Sequence, residues 1–147
     1  MIVIQPMIER EVPAVAQLAL KLWPDAHLSE LAAEILAALS SGKDLIYVAK
    51  ANESIIAFAH VALHLEYVEG TSTSPVGYLE GIFVEEAYRK QGIALQLVQH
   101  CESWAKGKGC QEFASDAELP NVDSQRFHEK VGFKEVNRVV CYVKELA

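Results

Sequence analysis

The sequence contains no hydrophobic run of the roughly 18 residues that a membrane-spanning helix needs, and its N-terminus lacks a basic segment followed by an apolar core. We therefore expect a cytoplasmic protein that does not contact a membrane. The three cysteines, Cys101, Cys110 and Cys141, are odd in number and have no C-x-x-C spacing. They indicate neither a disulfide framework nor a zinc site, so no metal is expected and they are interpreted as small core residues.

Basic side chains are also scarce. Thirteen Lys and Arg residues stand against twenty Asp and Glu residues, and the formal net charge is −7. Negative charge repels the phosphates of nucleic acids, so the composition argues against a nucleic-acid partner. It suits a cationic small molecule better, although many soluble proteins are simply acidic.

Length and apolar content predict one globular domain over residues 1–147. The chain lies within the usual size of a single domain, and 51% of its residues are hydrophobic and 22% charged, as in ordinary globular proteins. No internal repeat or low-complexity segment interrupts it, so the sequence indicates no linker.

The spacing of apolar residues predicts a mixed α/β protein. The first elements are a strand at 2–5, a helix from 12 to 22, a helix that follows Ser29 as its N-cap, and strands at 45–50, 55–67 and 76–84. A helix at 95–105, a strand at 111–115, a helix at 122–131 and a final strand pair or bent strand at 133–143 complete the order. This order predicts one mixed, mostly antiparallel sheet with helices on both faces.

The strand at 55–67 predicts where the sheet becomes polar. Its odd positions are all apolar, whereas its even positions change from Ile56 and Phe58 to His60, His64 and Glu66. One face of this strand is therefore expected to be core, and the other face to become polar towards the end of the strand.

The turn Arg89–Ala94 separates an apolar strand from a helix. Gly92 allows the backbone to approach a ligand closely, and the first amides of the helix have no partners within it. The helix dipole adds positive potential at the same end, which favours a diphosphate. The pattern R-x-x-G-x-A is weak alone, but the strand-turn-helix context strengthens it, and no P-loop or G-x-G-x-x-G motif occurs.

This turn resembles the acyl-CoA signature of the GNAT superfamily, [R/Q]-x-x-G-x-[G/A], with Ala94 in the last position. A second segment, Asn121 to Phe133, ends in Gly-Phe as its counterpart does in that superfamily. The resemblance implies the GNAT fold, with the signature between the fourth strand and the third helix, and acetyl-CoA as cosubstrate. It assigns cofactor contact to Ile82, Phe83, Val84, Arg89, Lys90, Gln91, Gly92, Ile93, Ala94, Asn121 and His128.

Within this superfamily the chain is similar to the short bacterial aminoglycoside 6'-N-acetyltransferases. The stretches that carry this similarity are residues 22–24, 66–75, 78–84 and 112–116. The similarity implies acetyl transfer to the 6'-amino group of aminoglycosides, antibiotic resistance and a homodimer, in which the apolar residues 139–143 could pair across subunits. It assigns substrate contact to Trp23, Tyr67, Glu80, Asp116 and Asn137.

Glu80 stands out from the residues alone, because it interrupts an apolar strand where a carboxylate is costly without a partner or water. Aminoglycosides are polycations, and Glu80 and Asp116 supply carboxylates that bind amines. Glu80 is the first candidate to remove the proton of the substrate ammonium, Asp116 is the second, and a role in orienting the substrate alone stays open for either. A purely structural role stays open for three of these residues: Trp23 could pack in the core, Tyr67 could be a strand-edge residue and Asp116 could cap a loop.

Three residues depart from the family pattern, and the first is Ala94, which replaces the last glycine of the signature and is tolerated there. His128 stands where many superfamily members carry a tyrosine that protonates the leaving thiolate, and a histidine can do this or be merely structural. Asn137 stands where an acidic residue is expected, so one substrate contact is expected to be weaker. Asn121 matches the family asparagine that contacts coenzyme A, and it can equally serve as a helix N-cap.

Two other functions remain compatible with the sequence. The first is a GNAT enzyme that acetylates a different amine, such as a polyamine or a protein α-amine. The second is a domain that binds acyl-CoA without catalysis and senses it. Release of free thiol from acetyl-CoA with and without an aminoglycoside distinguishes these alternatives.

Overall fold

A computed structural model describes all 147 residues and contains one five-stranded sheet. Its elements are β1 (Ile2–Pro6), α1 (Val12–Leu22), α2 (Leu28–Ala38), β2 (Asp44–Ala51), β3 (Ser54–His64), β4 (Val76–Val84), α3 (Ile93–Gly107), β5 (Phe113–Ser115) and α4 (Val122–Lys130). Short 3-10 turns at Glu9–Glu11 and Glu86–Tyr88 precede α1 and α3. None of the helices combines the length and the apolar character required to cross a membrane.

The strands follow one another across the sheet in the order of the chain. The first four pair antiparallel, and β5 pairs parallel with β4 over only three residue pairs. The connection between β4 and β5 passes through α3, as a parallel pair requires a crossover. The predicted mixed and mostly antiparallel sheet is therefore confirmed.

Helices cover both faces of the sheet and divide the core in two. On one face α1 and α2 pack against the sheet through buried residues such as Val15 and Phe58. On the other face α3 packs against it through Leu97, Val98 and Cys101, with Phe127 of α4 at the margin of the same core. The first half of β3 is consequently buried on both faces, and only its second half becomes polar, as predicted.

A β-bulge lies between His60 and Val61, where the register of β3 with β4 shifts. Beyond it the strand ends at His64, three residues before the predicted end, and Leu65 is 55% exposed. The predicted N-cap of α2 was also wrong, because the helix begins at Leu28 with His27 as N-cap and Ser29 lies in its first turn. Of the cysteines, Cys101 and Cys110 are buried as predicted, whereas Cys141 is exposed.

The predicted strand or strand pair at 133–143 does not form in the single chain. Residues 133–147 have no regular secondary structure, and Val140, Tyr142 and Val143 are 75%, 91% and 95% exposed. The prediction was wrong because apolar composition alone favours a strand, whereas a strand also needs a neighbour that pairs with its backbone N–H and C=O groups. The five-stranded sheet of one chain does not supply that neighbour.

Candidate active site

The site is positioned by the separation of β4 from β5. The two strands pair at Gly77–Phe113, Tyr78–Ala114 and Leu79–Ser115 and then separate. Beyond Leu79 no strand pairs with this edge of β4, so its backbone donors and acceptors are free to bind an extended ligand. A cavity of about 960 Å³ opens beside this point.

The cavity is strongly acidic. Seven carboxylate side chains and only two Lys or Arg side chains line it; they are Glu69, Glu80, Glu102, Glu112, Asp116, Glu129 and Glu135 against Lys134 and Arg138. Such a lining attracts cations and repels anions. The excess of acidic residues in the sequence is therefore concentrated in part around the cavity beside the open strand edge.

The two carboxylates singled out from the sequence flank the separation of the strands. Glu80 directly follows the paired part of β4, and Asp116 directly follows β5. Glu80 Oε2 accepts a hydrogen bond from His64 Nε2 at 2.9 Å and stays about one-third exposed, at 33%. Asp116 Oδ2 accepts the hydroxyl of Tyr78. Each carboxylate therefore has one protein partner and keeps access to the cavity.

An aromatic pair connects these two carboxylates. The rings of His64 and Tyr78 stack with centroids 4.3 Å apart and planes 14° from parallel. Burial and the hydrogen bond to Asp116 raise the pKa of Tyr78 well above its usual range, so its hydroxyl stays protonated and donates. Neither residue was singled out from the sequence, although the polar side of the third predicted strand contains His64.

Of the three other residues predicted to contact the substrate, the structure places two in the cavity with Glu80 and Asp116. Tyr67 and Asn137 line the same cavity as Glu80 and Asp116. Trp23 does not line it but ends α1 and packs on β4, where a Cβ added to Gly81 would lie 2.5 Å from its ring. The indole is 40% exposed, so it is neither fully core nor part of the cavity wall.

His128 faces the end of β5 from α4. Its Nδ1 lies 2.7 Å from the carbonyl oxygen of Ser124, and its Nε2 lies 2.9 Å from Oγ of Ser115. A carbonyl only accepts, so Nδ1 carries a proton. The Ser115 hydroxyl has one proton and also lies 3.0 Å from the carbonyl oxygen of Leu79, so it can donate fully to only one of Leu79 and Nε2. Both ring nitrogens of His128 therefore have a hydrogen-bonding partner within the protein. His128 and Ser115 both line the cavity.

The turn Arg89–Ala94 has the geometry expected of a ligand-binding loop. Gly92 is the N-cap of α3 with φ +81°, and Lys90 also has positive φ, at +64°. No atom lies within 4 Å of a Cβ built on Gly92, so the space in front of the first amides of α3 is open. Arg89 is folded back, because its Nε donates to the carbonyl of Val84 at 2.8 Å and its guanidinium lies over Phe83.

The other residues assigned to the cofactor lie beside this turn or in α4. Ile82, Phe83 and Val84 occupy the end of β4 whose edge lacks a strand partner. Within the turn, Ile93 is buried while Lys90 and Gln91 are exposed. Asn121 caps α4, since its side chain accepts from the N–H of Ser124 at 3.0 Å. The N-cap alternative for Asn121 is therefore confirmed, and no group of His, Cys, Asp or Glu is arranged to hold a metal ion.

Glu112 anchors the loop that joins β3 to β4. Its Oε1 accepts the hydroxyl of Thr73 and the backbone N–H groups of Ser72 and Thr73, the latter two at 2.9 Å. These bonds, first that from the Thr73 hydroxyl, lower the pKa of Glu112 below its ordinary 4.5. The loop contains Tyr67, so Glu112 helps to hold one wall of the cavity.

We expect this anchor to fail at acid pH. Because the pKa of Glu112 is lower in the folded chain, its bonds stabilise the loop fully above the unfolded-state pKa and are lost as the pH falls through the folded-state pKa. The amide resonances of Ser72 and Thr73 should therefore titrate at a pH below 4.5. In Glu112→Gln that titration should vanish; its persistence would assign the effect to another group.

The signature turn between the fourth strand and the third helix, beside an open strand edge, is the arrangement of an acyl-CoA-dependent acyltransferase. A family model for the acetyltransferase (GNAT) family matches residues 12–133, and the chain belongs to this family. The GNAT fold predicted from the turn and from the segment that follows it is thereby confirmed.

Individual members of the family can also be compared with this chain. The chain is 43% identical to aminoglycoside N(6')-acetyltransferase type 1 of Serratia marcescens over 134 residues, which cover 89% of this chain and 92% of the relative. Its structure matches an aminoglycoside 6'-N-acetyltransferase from Acinetobacter baumannii with a TM-score of 0.92, 40% identity and full coverage of both chains. It also matches an aminoglycoside acetyltransferase in complex with a bisubstrate analogue, CoA-S-monomethyl-acetylneamine, with a TM-score of 0.93, 34% identity and 99% coverage of both chains.

Proposed function

We propose that this protein transfers the acetyl group of acetyl-CoA to the 6'-amino group of aminoglycoside antibiotics. The observation that carries the proposal is the acidic cavity at the separation of β4 and β5, where Glu80 and Asp116 stand beside an open strand edge. The names of the relatives support the same reaction, and one of them was solved with an analogue that joins coenzyme A to an acetylated aminoglycoside fragment. Resistance to such antibiotics would follow from the reaction.

The cofactor would lie along the open edge of β4 and end at the turn. The backbone of Ile82–Val84 would pair with the pantetheine arm, and the first amides of α3 after Gly92 would bind the pyrophosphate. The open space in front of Gly92 supports this placement. Arg89, once released from Val84, and Lys90 would add positive charge at the phosphates.

The substrate would lie in the acidic cavity with its 6'-amine beside the thioester. The amine nitrogen attacks the carbonyl carbon, the C–S bond breaks, and the amine must lose a proton while the thiolate gains one. Glu80 is the first candidate for the proton acceptor, because it is partly exposed to the cavity and oriented by His64. Asp116, held by Tyr78, would bind the ammonium or take the proton in its place.

The proton for the leaving thiolate would come from the Ser115 hydroxyl, and Ser115 would take a proton from Nε2 of a His128 protonated on both ring nitrogens in the same step. His128 holds the oxygen of this serine at 2.9 Å, while its other nitrogen is engaged by Ser124. A direct transfer from His128 would require the ring to leave these partners. Ser115 therefore replaces His128 in our proposal as the group nearest the thiolate, with His128 as the residue that positions it.

A thiol-release assay tests the proposed function. Purified protein with acetyl-CoA should release free thiol rapidly with kanamycin or tobramycin, and mass spectrometry should locate one acetyl group on the 6'-nitrogen. Faster release with spermidine or with a peptide α-amine would assign the enzyme to another amine. Binding of acetyl-CoA without thiol release on any amine would identify a non-catalytic binding domain.

We also propose that the protein is a cytoplasmic homodimer. The apolar residues of the segment 139–143 are exposed and have no strand partner, and β1 and β5 each leave one edge of the sheet open. Pairing of this segment with a second chain would bury its apolar side chains and satisfy its backbone. The free thiol of Cys141 within it suits a reducing compartment.

The oligomeric state can be tested directly. Sedimentation equilibrium should give twice the mass of one chain, and Val140→Asp should shift the protein towards the monomer because a charge would be buried in the interface. Leu36→Asp, at a half-exposed position of α2 away from both sheet edges, serves as the control. A monomeric wild-type protein would contradict the proposal.

A further inference from the structure

Glu69 is a third carboxylate of the cavity, and it comes from a different part of the chain than Glu80 and Asp116. It lies in the loop between β3 and β4, whereas the other two lie at strand ends. The C-terminal segment holds it, since its Oε2 accepts a hydrogen bond from Asn137 Nδ2 at 2.8 Å. The proposed chemistry at β4 makes no use of this group.

The orientation of Asn137 is determined by a second bond. Its Oδ1 accepts the backbone N–H of Arg138 at 2.8 Å, so its NH₂ group must point the other way, towards Glu69. The guanidinium of Arg138 is itself occupied by Glu135, at 3.0 and 2.9 Å. Glu69 therefore has a neutral donor as its partner and forms no salt bridge, so no basic side chain offsets its carboxylate.

The loop around Glu69 is held in place by its neighbours. Val136 packs so closely on Gly70 that a Cβ there would lie 2.3 Å from its Cγ2, and Gly70 has φ +79°. Thr71 closes the turn, with its N–H and hydroxyl donating to the carbonyl of Val68 at 3.0 and 2.7 Å. The carboxylate of Glu69 thus projects from a structured loop that the C-terminal segment covers.

We infer that Glu69, oriented by Asn137, binds a second ammonium group of the substrate, distant from the amine that is acetylated. This inference rests on the proposed function and deepens it, because it specifies polycationic amino sugars over monoamines. An ammonium group at Glu69 would gain a charge-assisted hydrogen bond and would replace the missing basic partner. A substrate with only one amine would gain nothing from this residue.

The test compares two substrates that share the acetylated ring. Kanamycin carries several amines, whereas 6-amino-6-deoxyglucose carries one. In Glu69→Gln the KM for kanamycin should rise by about threefold to tenfold, as expected for a partly solvated ion pair, with kcat within about twofold. The KM for the monoamine should not change. Glu53→Gln, in the turn at the opposite end of β3, is the matched control and should change neither.

A double variant separates charge from structure. Glu69→Gln combined with Asn137→Asp exchanges amide and carboxylate across the same hydrogen bond, so the KM for kanamycin should return to within about twofold of wild type. An unchanged KM in Glu69→Gln, an equal loss with the monoamine, or no recovery in the double variant would overturn the inference while wild-type acetylation stands. Absence of wild-type turnover on kanamycin would overturn the proposed function together with it.

Discussion

Glu80→Gln is expected to lower kcat for aminoglycoside acetylation by about 10²-fold to 10⁴-fold, the range usually contributed by a positioned general base. Glutamine preserves the size of the side chain and can still accept a hydrogen bond from His64, which lies 2.9 Å from the carboxylate. It cannot take a proton from the substrate ammonium. Steady-state kinetics at saturating acetyl-CoA measure the effect.

The affinity for acetyl-CoA serves as the internal control for this variant. Glu80 points into the acidic cavity rather than to the turn before α3, so the Kd for acetyl-CoA should stay within about twofold of wild type. Asp116→Asn supplies the comparison, because both carboxylates flank the same point of the sheet. Unaltered turnover in Glu80→Gln, with a large loss in Asp116→Asn, would transfer the role of base to Asp116.

Gly92→Val is expected to have the opposite signature, a weaker binding of acetyl-CoA with little change of kcat at saturation. Gly92 has φ +81°, a conformation that costs a side-chain-bearing residue about 1–2 kcal/mol and a β-branched residue more. The backbone would relax and turn the first amides of α3 away from the phosphates. We expect the Kd for acetyl-CoA to rise at least tenfold, as measured by titration calorimetry.

Gly107→Val is the matched control for this substitution. An added Cβ meets no atom within 4 Å at Gly92 or at Gly107, so neither variant creates a direct clash at that atom. Only Gly92 has positive φ and lies at the start of α3, whereas Gly107 is its last residue. Equal weakening of acetyl-CoA binding in both variants would show a general loss of stability in α3 and would contradict a specific role of the turn.

Most secondary structure could be predicted from the sequence because it depends on neighbours within a few residues. The strand at 76–84 and the helix that ends near Trp23 follow from apolar spacing and from Pro24, and the structure has them at those positions. The errors in predicted secondary structure occurred where a strand depends on pairing with residues distant in the sequence. The third predicted strand ends at His64, three residues before its predicted end, and residues 133–143 have strand composition without a strand to pair with.

The carboxylates of the candidate site could be predicted from the sequence, but the side chains that form hydrogen bonds with them could not. Glu80 was recognisable because a charge in an apolar strand is costly. His64 and Tyr78 belong to other positions of the sheet: His64 is 16 residues from Glu80 in the chain, and Tyr78 is 38 residues from Asp116. The sheet register that brings these pairs within hydrogen-bonding distance is set by the whole fold, so no local pattern reveals it.

The sequence by itself predicted the turn before α3, because Gly92 permits unusual backbone conformations and the apolar spacing after it predicts a helix, which begins at Ile93 instead of the predicted residue 95. These are local backbone properties, and they also carry the family signature. Only the tertiary structure decided which side chains line the cavity. It placed Trp23 on β4 and outside the cavity, and it joined Glu69 to Asn137 across 68 residues. Contacts of this kind depend on how loops and the C-terminal segment pack, which long-range interactions alone determine.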